Sequence, residues 1–122
     1  GNAEIKLGQL AEALVRLART IVGIRLHTED LSVEQGVRFF KEEAFLEESM
    51  ARSEAERGTF DPQYVLYAVG KAILLKFRAD YEAKVGDRFS LLEFHDRFLS
   101  QGALPFWAHR ELMLGESGVL LD

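Results

Sequence analysis

The chain contains no cysteine, which excludes disulfides, thiolate zinc sites, iron–sulfur centres and cysteine nucleophiles. It has only two prolines, and no apolar run is long enough to span a bilayer, because Tyr64–Gly70 and Ala72–Leu75 are interrupted by Lys71 and Lys76. Positive charge is not in excess either. Fifteen basic residues against twenty acidic give a formal charge of −5, which supplies no general attraction to nucleic acid or to an anionic membrane. No targeting segment is visible, so the expectation is a cytoplasmic protein, with export of a longer parent left open. Gly1-Asn2-Ala3 reads as the remnant of a cleaved tag.

What the 122 residues do contain is an apolar fraction of 48%, with nine phenylalanines, the composition of a folded chain rather than a disordered one. From Glu4 onward Leu7, Leu10, Leu14, Leu17, Ile21 and Ile24 recur at alternating three- and four-residue steps. That spacing is one face of an α-helix, widened by Ala11, Val15, Ala18 and Val22. So wide a stripe predicts more than one neighbour. Gly23 weakens its last turn, and Thr28-Glu29-Asp30 marks the break. Ser32 and Gln35 form a capping box with Leu31 as a staple, opening a helix that turns Val37, Phe40, Ala44 and Phe39 or Phe45 inward. Ala51–Arg57 reads as its exposed continuation, ended by Gly58.

Asp61-Pro62 is an acidic cap followed by proline at the first helical position. It predicts a central helix over about residues 62–84, with Leu66, Val69, Ile73 and Phe77 on one inward line. Tyr67, Lys71, Leu74, Arg78 and Tyr81 form another, and Gly70 is placed for a close crossing. Ser90 and Glu93 suggest a second capping box before Leu91, Leu92, Phe94, Phe98 and Leu99. Pro105 opens a last helix with Phe106, Trp107, Leu112 and Met113, stopped by Gly115. The expectation is an all-α fold of about five helical segments in a compact antiparallel bundle, one domain over residues 4–115, with 116–122 as a short tail.

No complete catalytic constellation stands out. His27, His95 and His109 lack zinc-motif spacing, and Glu42-Glu43 and Glu47-Glu48 suit a solvated face rather than a calcium loop. Glu93, His95 and Asp96 fit capping and surface roles better than acid–base work. His27 has two readings: a cap at the end of its helix, or an imidazole at a cleft edge donating to a substrate oxygen or oxyanion. Tyr67, Lys71 and Arg78 also have two. They are a core-boundary tyrosine with two snorkelling cations, or a wall that binds a carboxylate.

Several stretches together resemble the C-terminal end of the bacterial domain-of-unknown-function family 885. They are Leu17-Ala18-Arg19, Gly23-Ile24-Arg25-Leu26-His27, the Ser32–Gly36 helix start, Pro62-Gln63 with Tyr67-Ala68-Val69-Gly70, and Leu75, Phe77 and Arg78. The most specific is Gly86-Asp87-Arg88-Phe89-Ser90-Leu91-Leu92-Glu93-Phe94-His95-Asp96, followed by Leu99 and Gly102-Ala103-Leu104-Pro105. Full-length members resemble zinc metallopeptidases, with an H-E-x-x-H helix that this chain lacks. The resemblance therefore implies a domain or fragment that supplies cleft residues but holds no metal. His27 and Tyr67 would have supporting catalytic roles, and Arg78 and Lys71 would bind substrate. No cofactor is expected in this chain, zinc being implied only for a full-length parent, and the isolated chain is expected to be inactive. The implied partner is the rest of such a parent, or a second copy in a homodimer. The alternative is a stand-alone helical interaction module that has lost peptidase activity. Where the family has Pro-Gly-Gln-Ala before the tyrosine, this chain has Asp61-Pro62-Gln63-Tyr64.

Overall fold

The computed structural model describes residues 2–121, so Gly1 and Asp122, the outermost residues of the expected tag remnant and tail, lie outside the described residues. Six α-helices and two short 3-10 turns follow one another, with no strand among the described residues. The helices are α1 (Ala3–Thr28), α2 (Val33–Glu43), α3 (Glu48–Gly58), α4 (Leu66–Val85), α5 (Leu91–Ser100) and α6 (Phe106–Leu114). The 3-10 turns are Pro62–Val65 and Gly86–Arg88. The all-α expectation is met. Packing gathers into two units, Gly1–Val69 and Gly70–Asp122.

In the first unit α1 packs against α2, α3 and the Pro62–Val65 turn, the several neighbours that its wide stripe predicts. The buried face is not the leucine line, however. Ala18 and Val22 enter the core with Val37, Phe40, Ala44, Ala51, Ala55 and Tyr64, while Leu14, Val15 and Leu26 flank it. Leu7, Leu10, Leu17, Ile21 and Ile24 remain exposed. The neighbouring helices close on the side of α1 where the side chains are small. A Cβ built on Gly36 would lie 3.2 Å from the Ala55 Cβ and 3.3 Å from a Val22 methyl, an approach that bulkier residues would block.

The helix expected to run on through Arg57 breaks instead at 44–47. Phe45 takes a left-handed conformation, φ 56°, and the Leu46 N–H returns to the Phe40 carbonyl at 3.1 Å. The end of α1 repeats this device: Asp30 has φ 54°, and the Leu31 N–H bonds to the Arg25 carbonyl at 3.3 Å. Aspartate tolerates that region through its short polar side chain, whereas phenylalanine is strained there. The break lets α3 fold back onto α2, so Ala51 and Ala55 are buried rather than forming an exposed continuation. At the start of α2, Ser32 and Gln35 make both halves of the predicted capping box.

In the second unit Phe77, Tyr81, Phe94, Met113 and Leu114 form a core flanked by Leu74, Val85, Phe89 and Phe98. Its rings meet mostly edge-on, Phe77 against Phe94 at 5.4 Å and against Phe98 at 6.0 Å. Such pairs add about 1 kcal/mol each beyond area burial. Arg110 is almost fully buried, lies over the Phe77 ring, and donates to Asp80 at 2.5 Å and to the Ser117 carbonyl at 2.6 Å. The expected tail is therefore tied down at Ser117. Gly115 supplies the predicted stop to α6, in a left-handed conformation with φ 78°, and Lys84 donates to the Leu114 carbonyl. Ser90 accepts from the Glu93 N–H, while the reciprocal half of that capping box is absent among the described residues. Leu66 and Tyr67 face solvent rather than a core, and a Cβ on Gly70 would meet nothing within 4 Å, so the close crossing expected there does not form. Tight approaches between helices fall in the first unit instead, at Gly23, Gly36 and Gly58.

Two substitutions test these packing assignments. Ala55→Leu overfills the α2–α3 contact and should lower stability by about 2 kcal/mol in urea unfolding. Asp80→Ala leaves the buried Arg110 guanidinium without its carboxylate and should cost about 3 kcal/mol in the same measurement.

Candidate functional site

The Pro62–Val65 turn organises the polar features of the first unit. Asp61 caps it, one carboxylate oxygen accepting from the Gln63 N–H at 3.0 Å. The other accepts from Arg57 Nε and Nη2 at 3.1 and 2.9 Å. The proline at the first position, predicted to open an α-helix, opens a 3-10 turn before α4 begins at Leu66.

That turn carries Tyr64 into the interior, where it is only 3% exposed. Its ring fits because two glycines stand opposite it. Cβ atoms on Gly23 and Gly58 would lie 3.1 and 3.3 Å from Tyr64 carbons. The Tyr64 hydroxyl reaches the Glu54 carbonyl at 2.8 Å and the Glu54 carboxylate at 3.0 Å. Arg19 grips the same carboxylate through Nε and Nη2 at 2.7 and 2.6 Å. Both Arg19 and Arg57 lie over the Tyr64 ring, 5.8 and 5.5 Å from its centre. Burial and the neighbouring Glu54 charge push the Tyr64 hydroxyl well above its ordinary pKa, so it stays a proton donor. Burial works against the Glu54 carboxylate, yet the Arg19 hydrogen bonds outweigh it and hold the group below the usual carboxylate range. The bond to Glu54 raises Arg19 in return.

Two concavities flank the turn. One, of about 320 Å³, is lined by Arg19, Arg57, Asp61, Gln63, Tyr64, Leu66 and Tyr67. The Tyr67 ring, half exposed, is covered on one side by the Arg16 guanidinium at 5.8 Å. The second, of about 230 Å³, is lined by Gly23, Ile24, His27, Thr28, Asp61, Pro62 and Val65. His27 and Tyr67 thus stand in different concavities that share Asp61.

His27 Nε2 lies 3.0 Å from the Gly58 carbonyl, which can only accept, so Nε2 carries the proton. His27 therefore caps the end of α3, while its own helix runs on to Thr28 and is capped by Glu29. Its Nδ1 is left to accept in the neutral ring, and donates only as imidazolium. Lys71 is exposed and Arg78 half-buried, both in the second unit, and neither makes an ion pair among the described residues. His95 and Asp96 face solvent, and the Glu93 side chain lies 3.9 Å from Arg97. His109 is buried, with Nδ1 2.7 Å from Gln101 Oε1 and its ring against Phe98. Among the described residues no group of three or more His, Asp or Glu is placed to hold a metal, and no helix is long and apolar enough to cross a membrane.

The sequence did not single out Arg19, Glu54, Arg57 or Tyr64. Arg57 and Glu54 lay in a stretch read as solvent-facing, and Tyr64 stood out only as a departure from the family pattern. The available signal was the pair of glycines at 23 and 58, which makes room for a ring.

Since the folded pKa of Glu54 lies below its usual value near 4.5, its ionisation stabilises the fold above that pH. The contribution is lost as pH falls through the folded pKa. The thermal midpoint of the native chain should therefore drop more steeply on acidification below about pH 4.5 than that of Glu54→Gln, with circular dichroism as the readout.

No curated protein and no solved structure shows a significant match to the chain. The family model for bacterial proteins of unknown function designated DUF885 matches residues 1–113, and the chain belongs to that family.

Proposed function

We propose that this chain forms one wall of a peptide-binding cleft in a zinc metallopeptidase-like protein, binding substrate without performing hydrolysis alone. The observation that carries the proposal is the pair of concavities flanking the Pro62–Val65 turn, one holding Tyr67 and the other His27. The turn between them is anchored through Tyr64 and Asp61, and the His27 ring is held by the Gly58 carbonyl. Groups fixed in advance bind with less ordering cost. The Tyr67 hydroxyl can donate to a peptide carbonyl or to developing negative charge on it, and the neutral His27 Nδ1 can accept a peptide N–H. Lys71 and Arg78, which lie in the second unit, are proposed by themselves as substrate-binding cations for an acidic group. The metal implied for a full-length relative finds no ligand set among the described residues.

Affinity for a panel of short peptides, measured by titration calorimetry on the whole chain, tests the wall. Tyr67→Ala and His27→Ala should each weaken binding by about tenfold with the helical spectrum unchanged. Absence of binding by every peptide would remove the proposal.

A second reading is favoured by the exposed line Leu7, Leu10, Leu17, Ile21 and Ile24. With the half-buried Leu14, its alternating steps of three and four residues are those of a coiled-coil seam. Beside it an apolar groove of about 580 Å³ runs between α1 and Phe45-Leu46. A second copy laid along this face would make the chain an interaction module. Sedimentation velocity should then show a dimer that Leu17→Glu dissociates. A monomer at high concentration would contradict it.

A further inference from the structure

We infer that the concavity beside Tyr67 is a carboxylate-binding subsite in which Arg19, Arg57, Gln63 and Tyr67 receive the two oxygens of a peptide carboxylate. The inference rests on the reading of the Pro62–Val65 flank as a peptide-binding wall and adds the chemical group bound there.

The lining of this concavity holds unused hydrogen-bonding capacity. Arg19 commits Nε and Nη2 to Glu54, and Arg57 commits Nε and Nη2 to Asp61. In both, Nη1 has no hydrogen-bond partner among the described residues. The Tyr67 hydroxyl and the Gln63 side-chain amide are likewise without one. Both Asp61 oxygens are engaged, one receiving Arg57 and the other the Gln63 N–H. Each guanidinium is already paired with one carboxylate, yet its free Nη1 can only donate, while the Gln63 amide and the Tyr67 hydroxyl can donate as well as accept. A guest that satisfies them must bring acceptor oxygens, and a carboxylate matches the planar guanidinium edge best.

The surroundings fit the same guest. Leu66 and the rings of Tyr64 and Tyr67 give the concavity apolar walls for the carbon skeleton behind the carboxylate. Its size, about 320 Å³, is at the lower end for a small-molecule site and suits one or two residues of a peptide. The guanidiniums are also held in place before any guest arrives. Arg19 is fixed by two bonds to a partly buried Glu54, and the Arg19 and Arg57 guanidiniums both lie over the Tyr64 ring. The carboxylate can come from a peptide C-terminus or from an acidic side chain, and the two sources are separable.

Three probes make the test: Ac-Ala-Leu-Ala with a free C-terminus, its C-terminal amide, and the amide Ac-Ala-Glu-Ala. Each is titrated into the whole chain with the Gln63, Tyr64 and Tyr67 amide resonances as readout. Binding of the free-acid probe over its amide assigns the site to a C-terminus, and binding of the glutamate probe over the neutral amide assigns it to an acidic side chain. In either case Arg57→Gln, with the unliganded Tyr64 and Gln63 resonances checked for an intact turn, should raise the dissociation constant at least about tenfold. Tyr67→Phe should weaken binding severalfold, and Arg88→Gln, on the exposed surface of the second unit, should leave it unchanged. Equal affinity for all three probes would overturn the carboxylate assignment while leaving the peptide-binding wall intact. Unaltered affinity in Arg57→Gln would overturn the assignment in the same way. No binding by any probe would remove both.

Discussion

The Tyr64 ring, seated against the two glycines and tied through its hydroxyl to a carboxylate that Arg19 already holds, is the constraint on which the first unit depends. Burying a ring of this size is worth about 2–3 kcal/mol, but burying its hydroxyl would consume much of that gain without a partner. Glu54 provides the partner, and Arg19 keeps Glu54 ionised despite its partial burial. The cluster also joins three elements: Arg19 from α1, Glu54 from α3 and Tyr64 from the turn between α3 and α4. Asp61 and Arg57 tie the same turn to the end of α3.

From this geometry follows the placement of the candidate functional groups. The turn cannot move without dislodging Tyr64, so the concavities on its flanks keep their shape. His27 is oriented by the Gly58 carbonyl, the very glycine whose missing side chain admits Tyr64. The surface between Arg57 and Tyr67 is thus preorganised by core packing, whereas the exposed ion pairs of α2 and α3, such as Arg52 with Glu34, add little stability.

Much of the secondary structure was legible in the sequence because its signals are local. Ser32 with Gln35, Asp61 before Pro62, and Gly115 after the last helix each satisfy orphan backbone groups within a few residues. The break at Phe45 was not legible, since a phenylalanine is a poor candidate for a left-handed position and nothing nearby announces a stop. Nor was the buried face of α1. Periodicity identifies an apolar stripe but not which edge of it faces the core. Here the small side chains of Ala18 and Gly23 let neighbours approach more closely than the leucines allow. The candidate site was legible only in outline. Tyr67 and His27 were named, while the Arg19–Glu54–Tyr64 cluster depends on contacts between residues ten and thirty-five positions apart.

The most direct test of this account is the ionisation of Glu54 itself, followed by carbon NMR of its side-chain carboxyl. The account predicts a midpoint below the ordinary glutamate value near 4.5, moving upward when Arg19 is replaced by glutamine. A midpoint at or above the ordinary value in the native chain would show that Arg19 does not hold the carboxylate. The Tyr64 anchor would then lose its physical basis.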